Sequence, residues 1–112
     1  MDRPGPVTID SLLLLARHTE VVHHIAGRIR VRLLPSALKT VRESNLQESI
    51  NSIPGVLKLR VNPIMGSVVI EYDQKKLPFD LWESLRNLKK NPELFSKIRE
   101  RLLALCDFNV PF

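Results

Sequence analysis

Apolar and polar residues alternate most regularly from Arg28 to Leu33. Ile29, Val31 and Leu33 fall on one side and Arg28, Arg30 and Arg32 on the other, the period-two pattern of a half-buried strand. The strand is expected to run from Glu20 to Leu34, where Pro35 stops it. Two further period-two segments follow. Leu57, Leu59 and Val61 oppose Lys58 and Arg60, and Val68, Ile70 and Tyr72 form the inward side of Ser67 to Asp73. Between them, Asn62-Pro63-Ile64-Met65-Gly66 has turn chemistry, so the pair reads as a β-hairpin.

Helical spacing fills the intervals. Ile9, Leu12, Leu13 and Ala16 share a face of a helix capped by Thr8 or Asp10 and ending at Arg17. A second helix is expected from Ser36 to about Ser52, with Leu38, Val41, Leu46, Ile50 and Ile53 as its apolar stripe and Pro54-Gly55 as its stop. A third spans about Phe79 to Lys89, with Trp82 as core anchor together with Phe79, Leu81 and Leu85. The last runs from Pro92 to Cys106, with Asn91 as N-cap and Leu94, Ile98, Leu102 and Leu105 in register. Met1 to Pro6 reads as a flexible leader. The tail Phe108–Phe112 either packs on the surface or adds an edge strand.

These elements predict an α+β fold: a leader over residues 1–7, then one domain over 8–112, with its core at 20–90 and a C-terminal helix at 92–106. The β-α-β-β-α run is most of a ferredoxin-like sandwich whose last strand is missing or reduced, with an extra helix at each end. The vacant place lies beside the arginine strand. That strand is then an exposed edge, a docking edge for a partner or second copy, or the neighbour of the tail.

Composition narrows the function classes. The 112 residues are 44% hydrophobic and 26% charged, as in a folded domain, and the formal charge of +5 favours anionic partners. The single cysteine, Cys106, leaves no internal disulfide and no cysteine-pair metal site, and a cytoplasmic location is the default expectation. The apolar run Leu12–Ala16 is too short to cross a bilayer, so any membrane contact is expected to be peripheral, at the inner membrane. No catalytic constellation or phosphate loop is evident, and an enzyme is not expected.

The residues also carry a resemblance. Ile53-Pro54-Gly55-Val56, then Val61-Asn62-Pro63, then Gly66-Ser67-Val68-Val69-Ile70-Glu71-Tyr72-Asp73 resemble the heavy-metal-associated domain of metallochaperones and of metal-transporting P-type ATPases. The match is with the divergent branch whose first strand reads like His23-His24-Ile25-Ala26-Gly27-Arg28-Ile29-Arg30-Val31-Arg32-Leu33. It covers about Glu20 to Asp73 and extends through the segment around Trp82. Metal-carrying members hold a soft cation on a Cys-x-x-Cys pair between the first strand and the first helix. Here that loop is Leu34-Pro35-Ser36-Ala37-Leu38, without a thiol. The resemblance implies a bacterial metal-transport or iron-storage context, with a metal-transporting ATPase among the candidate partners.

Arg28, Arg30 and Arg32 form a cationic comb about 7 Å apart, suited to an acidic protein surface or an anionic membrane. With His23 and His24 they make up the candidate partner-binding set. Nucleic acid is not expected, because no aromatic residues are interleaved with these cations. No resident cofactor is expected. The alternative is a carrier that ligates a metal ion or haem through His23 or His24, but adjacent residues of a regular strand point to opposite faces, so both reach one ligand only if the strand bulges or begins after Gly27.

Overall fold

The computed structural model describes residues 6–35, 46–62 and 64–106. Helix α1 (Pro6–Arg17) leads into strands β1 (Thr19–Ile25) and β2 (Arg28–Leu33). Helix α2 (Leu46–Asn51) precedes the hairpin of β3 (Val56–Asn62) and β4 (Ser67–Tyr72), and helix α3 (Phe79–Arg86), a 3-10 turn at Pro92–Leu94 and helix α4 (Phe95–Cys106) follow. Helix α1 starts at Pro6, ahead of the expected Thr8 and Asp10 caps, because proline is well suited to the first helical position. The expected helix residues 36–45, including Leu38 and Val41, and the tail from Asp107 lie outside the described residues.

The main correction concerns the segment Glu20 to Leu34. Instead of one strand it is a hairpin: β1 pairs antiparallel with β2, and Ala26-Gly27 forms the two-residue connection. Gly27 has φ +86, a backbone conformation that a side chain disfavours. The sheet order is β1-β2-β4-β3, with every neighbouring pair antiparallel. Strand β4 therefore lies between β2 and β3, as in a split β-α-β unit. The place beside the arginine strand, expected to be vacant or taken by the tail, is filled by β1. Strand β2 is interior, so none of its three expected edge roles remains, and among the described residues the outer strands are β1 and β3.

One sheet face is closed by the helices. Ile29, Val31 and Leu33 of β2 and Val68, Ile70 and Tyr72 of β4 are all buried and join Ile9, Leu12 and Leu13 of α1, Ile50 of α2, and Leu81, Trp82 and Leu85 of α3 in one core. Helix α1 packs against α2, α3 and α4, with Ile98 and Leu102 of α4 also buried. The expected β3–β4 hairpin is present. The Asn62 side-chain oxygen accepts from the backbone N–H groups of Ile64 and Met65, both at 3.1 Å, a turn stabilised by its own asparagine.

Candidate functional site

The open face of the sheet is set by register. Three rows of side chains cross it: Ile25, Arg28, Glu71 and Lys58; His23, Arg30, Val69 and Arg60; Glu20, Arg32, Ser67 and Asn62. Strand spacing places Arg28 and Arg32 about 13 Å apart along β2 and the outer strands about 14 Å apart across the sheet. The face thus holds five cationic side chains, Arg28, Arg30, Arg32, Lys58 and Arg60, against two carboxylates, Glu20 and Glu71. The two cations of β3 enlarge the arginine comb, with β4 between them.

These charges are not equivalent. The Arg32 guanidinium donates to Glu20 at 2.6 Å, and this hydrogen bond, reinforced by charge attraction, holds the Glu20 carboxyl below its ordinary pKa. Arg28, Arg30, Lys58 and Arg60 take part in none of the salt bridges among the described residues. All four are exposed. Val22 and Ile25 on the neighbouring edge strand are 55% and 49% exposed, which adds apolar contact area at its margin.

The two histidines separate. His23 is exposed and lies opposite Arg30, on the basic face. His24 pairs with Ile29, and its side chain turns to the helix side, where it is 2% exposed. A bulge does occur between Val21 and His23, but it does not bring the imidazoles together. Both ring nitrogens of His24 are engaged: Nδ1 lies 2.7 Å from Glu83 Oε2, and Nε2 lies 2.7 Å from the Tyr72 hydroxyl. A carboxylate can only accept, so Nδ1 donates to Glu83, and Nε2 and the Tyr72 hydroxyl share the second hydrogen bond. Burial raises the Tyr72 pKa above its ordinary value, which keeps the phenol protonated. The ring also stacks on Phe79, with centroids 3.9 Å apart and planes 3° from parallel.

Of the five predicted partner-binding residues, the fold therefore gathers Arg28, Arg30, Arg32 and His23 on one surface and places His24 behind it. Sequence reasoning missed Glu83 and Tyr72 as the partners of His24, because residues 48 and 59 positions away leave no local signal. It also grouped Phe79 with the core, whereas that ring is 40% exposed and caps His24. The carrier reading loses its donor at His24, since neither ring nitrogen has a free lone pair. No group of three or more metal-ligating side chains is found among the described residues.

A family model described as heavy metal associated domain 2 matches residues 13–102. The chain belongs to the heavy metal associated domain 2 family. The match runs from within α1 into α4 and so takes in part of each terminal helix. Family membership suggests a metal-related binding module. No curated protein and no solved structure matches the chain. Among the described residues, no helix is long and apolar enough to cross a membrane.

Proposed function

We propose that this domain is a non-catalytic docking module of a metal-transport or metal-storage system, and that its basic sheet face engages an acidic protein surface. The observation that carries this is the set of four cations, Arg28, Arg30, Lys58 and Arg60, held on the sheet face opposite the described helices without a salt bridge among the described residues. Glu20 and Glu71 within the same rows favour a protein over a lipid or nucleic-acid surface. A sheet of phosphates would repel both carboxylates, whereas a protein can offer carboxylates to the arginines and a donor to Glu71. Arginine suits this use because its forked donors meet a carboxylate in two parallel hydrogen bonds. The hydrogen-bonded chain of Glu83, His24 and Tyr72 is read as structural, because the Tyr72 residue is 2% exposed and no substrate can reach it.

The test is capture of the soluble domains of metal transporters and iron-storage proteins by the wild type and by Arg28→Ala/Arg30→Ala, beside vesicles of anionic lipid. An anchoring arginine contributes on the order of 2 kcal/mol at an interface, so its loss weakens binding about 30-fold. The double variant should melt like its parent and lose the protein partner. Undiminished capture sinks the reading, and binding to vesicles alone replaces the acidic protein by a lipid surface.

A further inference from the structure

The β3–β4 hairpin ends in two apolar side chains that the fold does not use. Ile64 and Met65 stand at its tip, 93% and 62% exposed, and neither belongs to the core. Tight turns are normally built from glycine, proline, asparagine, aspartate and serine, and here Asn62 and Gly66 close the turn. The Asn62 side chain holds the backbone N–H groups of Ile64 and Met65, and Gly66 takes φ +65. Since only the backbone of residues 64 and 65 is engaged, polar side chains there would serve the turn equally well. Val22 and Ile25, also exposed, lie in a strand, where β-branched residues are favoured, but no such preference accounts for the tip pair.

The tip is fixed relative to the basic face. The Gly66 carbonyl accepts from the Leu33 N–H at 2.7 Å, next to Arg32. The row of Arg28 and Lys58 lies about 13 Å from the row of Arg32 and Asn62, and the tip is about 7 Å farther along the strands. Charge falls off in the same direction. The first two rows carry Arg28, Arg30, Lys58 and Arg60, without a salt bridge among the described residues. The third is neutralised, with Arg32 paired to Glu20 beside Ser67 and Asn62, and the tip beyond it is apolar. A bilayer fits this gradient poorly. The cations project from the face of the sheet and the tip extends past its end, so a flat surface meets one or the other, and the row next to the tip has no unpaired cation to hold a headgroup. A protein surface can be stepped to meet both.

We infer that Ile64 and Met65 are the apolar anchor of the docking face, and that its partner is an acidic protein surface with an apolar socket about 13–20 Å from its carboxylates. The inference rests on the docking reading above and supplies what that reading lacks. Exposed charges steer and orient a partner, whereas an apolar side chain buried in a pocket slows its departure. A tip already held by three hydrogen bonds also loses little freedom on insertion.

Two synthetic peptides separate anchor from cations. One is a run of six glutamates, about 20 Å long when extended, and the other continues the same run with leucine, phenylalanine and leucine. The full chain is titrated with each and followed by the backbone amide resonances of Arg28 and Arg30 and by the Met65 methyl resonance, assigned with Met65→Leu. The glutamate peptide should shift the arginine amides alone. The longer peptide should shift both sets and bind about 10-fold tighter. Ile64→Ser/Met65→Ser, a change of two exposed side chains, should melt like its parent, bind the glutamate peptide unchanged and lose the gain, which Ile64→Leu/Met65→Leu should keep. Arg28→Ala/Arg30→Ala should weaken both peptides. If the glutamate peptide does not bind, the docking reading falls and the anchor with it. If it binds and the apolar extension adds nothing, or the gain survives Ile64→Ser/Met65→Ser, the anchor alone is overturned. Binding to phosphatidylserine vesicles that depends on Ile64 and Met65 overturns the protein socket in favour of a membrane.

Discussion

Two adjacent histidines with opposite environments give the sharpest test of this structure. His24→Leu removes an imidazole that satisfies the Tyr72 hydroxyl and the Glu83 carboxylate and stacks on Phe79. Orphaning a buried hydroxyl costs about 1–3 kcal/mol, and the lost ring pair about 0.5–1.5 kcal/mol, so the expected destabilisation is about 2–4 kcal/mol. For 112 residues the unfolding entropy is about 0.24 kcal/mol/K, which converts this to a fall in Tm of roughly 8–17 °C. His23→Ala changes an exposed side chain and should stay within about 0.5 kcal/mol, or ~2 °C. Tyr72→Phe removes one hydrogen bond from the same chain and should cost about 1–2 kcal/mol. Its combination with His24→Leu should cost less than the sum, because both delete the same contact. Thermal melts followed by circular dichroism, with urea titrations to check that the m-value is constant, supply the measurement. If His24→Leu melts with its parent, or if the two histidine variants are equally mild, the buried Glu83–His24–Tyr72 chain does not exist.

Other outcomes follow from single sites. Tyr72 is the only tyrosine, so tyrosinate absorbance titrates it alone, and its midpoint should lie above the ordinary 10.0. Because the folded value is raised, the stability it contributes is complete below pH 10.0 and is lost as pH rises through the folded value, and Tyr72→Phe should remove that alkaline loss. Glu20 is the reverse case. Its folded pKa lies below 4.5, so the contribution of its pair with Arg32 is complete above pH 4.5 and is lost as pH falls through the folded value. Glu20→Gln should flatten that part of an acid denaturation curve, and added salt should shrink the difference. Gly55→Ala should destabilise by about 3 kcal/mol, since φ is +101 and the new Cβ would stand 2.8 Å from Leu77 Cγ. Gly66→Ala, at φ +65 in open space, should cost only about 1 kcal/mol, as measured by denaturant titration.

Much of the fold is a direct consequence of local pattern. The alternation in Arg28–Leu33 separates a core side from a cationic side, and the structure buries Ile29, Val31 and Leu33 while leaving Arg28, Arg30 and Arg32 exposed. Asn62 and Gly66 close the β3–β4 hairpin through contacts within five residues, so a sequence window contains all the physics needed. Helices α1, α3 and α4 were legible for the same reason, each having its apolar stripe at its own 3.6-residue period. The basic character of the open sheet face was therefore decided by the amino-acid sequence.

Pairing across the chain was decided elsewhere. Nothing local says that Glu20–Ile25 folds back on Arg28–Leu33, because Val21-Val22-His23-His24 breaks the alternation where the bulge occurs and the turn rests on Ala26-Gly27 alone. That fold-back fills the place beside β2, turns the arginine strand from an edge into an interior strand, and sends His24 to the helix side. There it meets Tyr72 from β4 and Glu83 and Phe79 from α3, distant segments that share a site only once the sheet and helices have packed. The same packing encloses the Trp82 indole without giving it an acceptor among the described residues. Sequence fixes which faces are apolar and which are charged, since side-chain direction follows backbone period. Which of those faces meet, and which polar groups are left unanswered between them, depends on long-range contacts that form only in the folded chain.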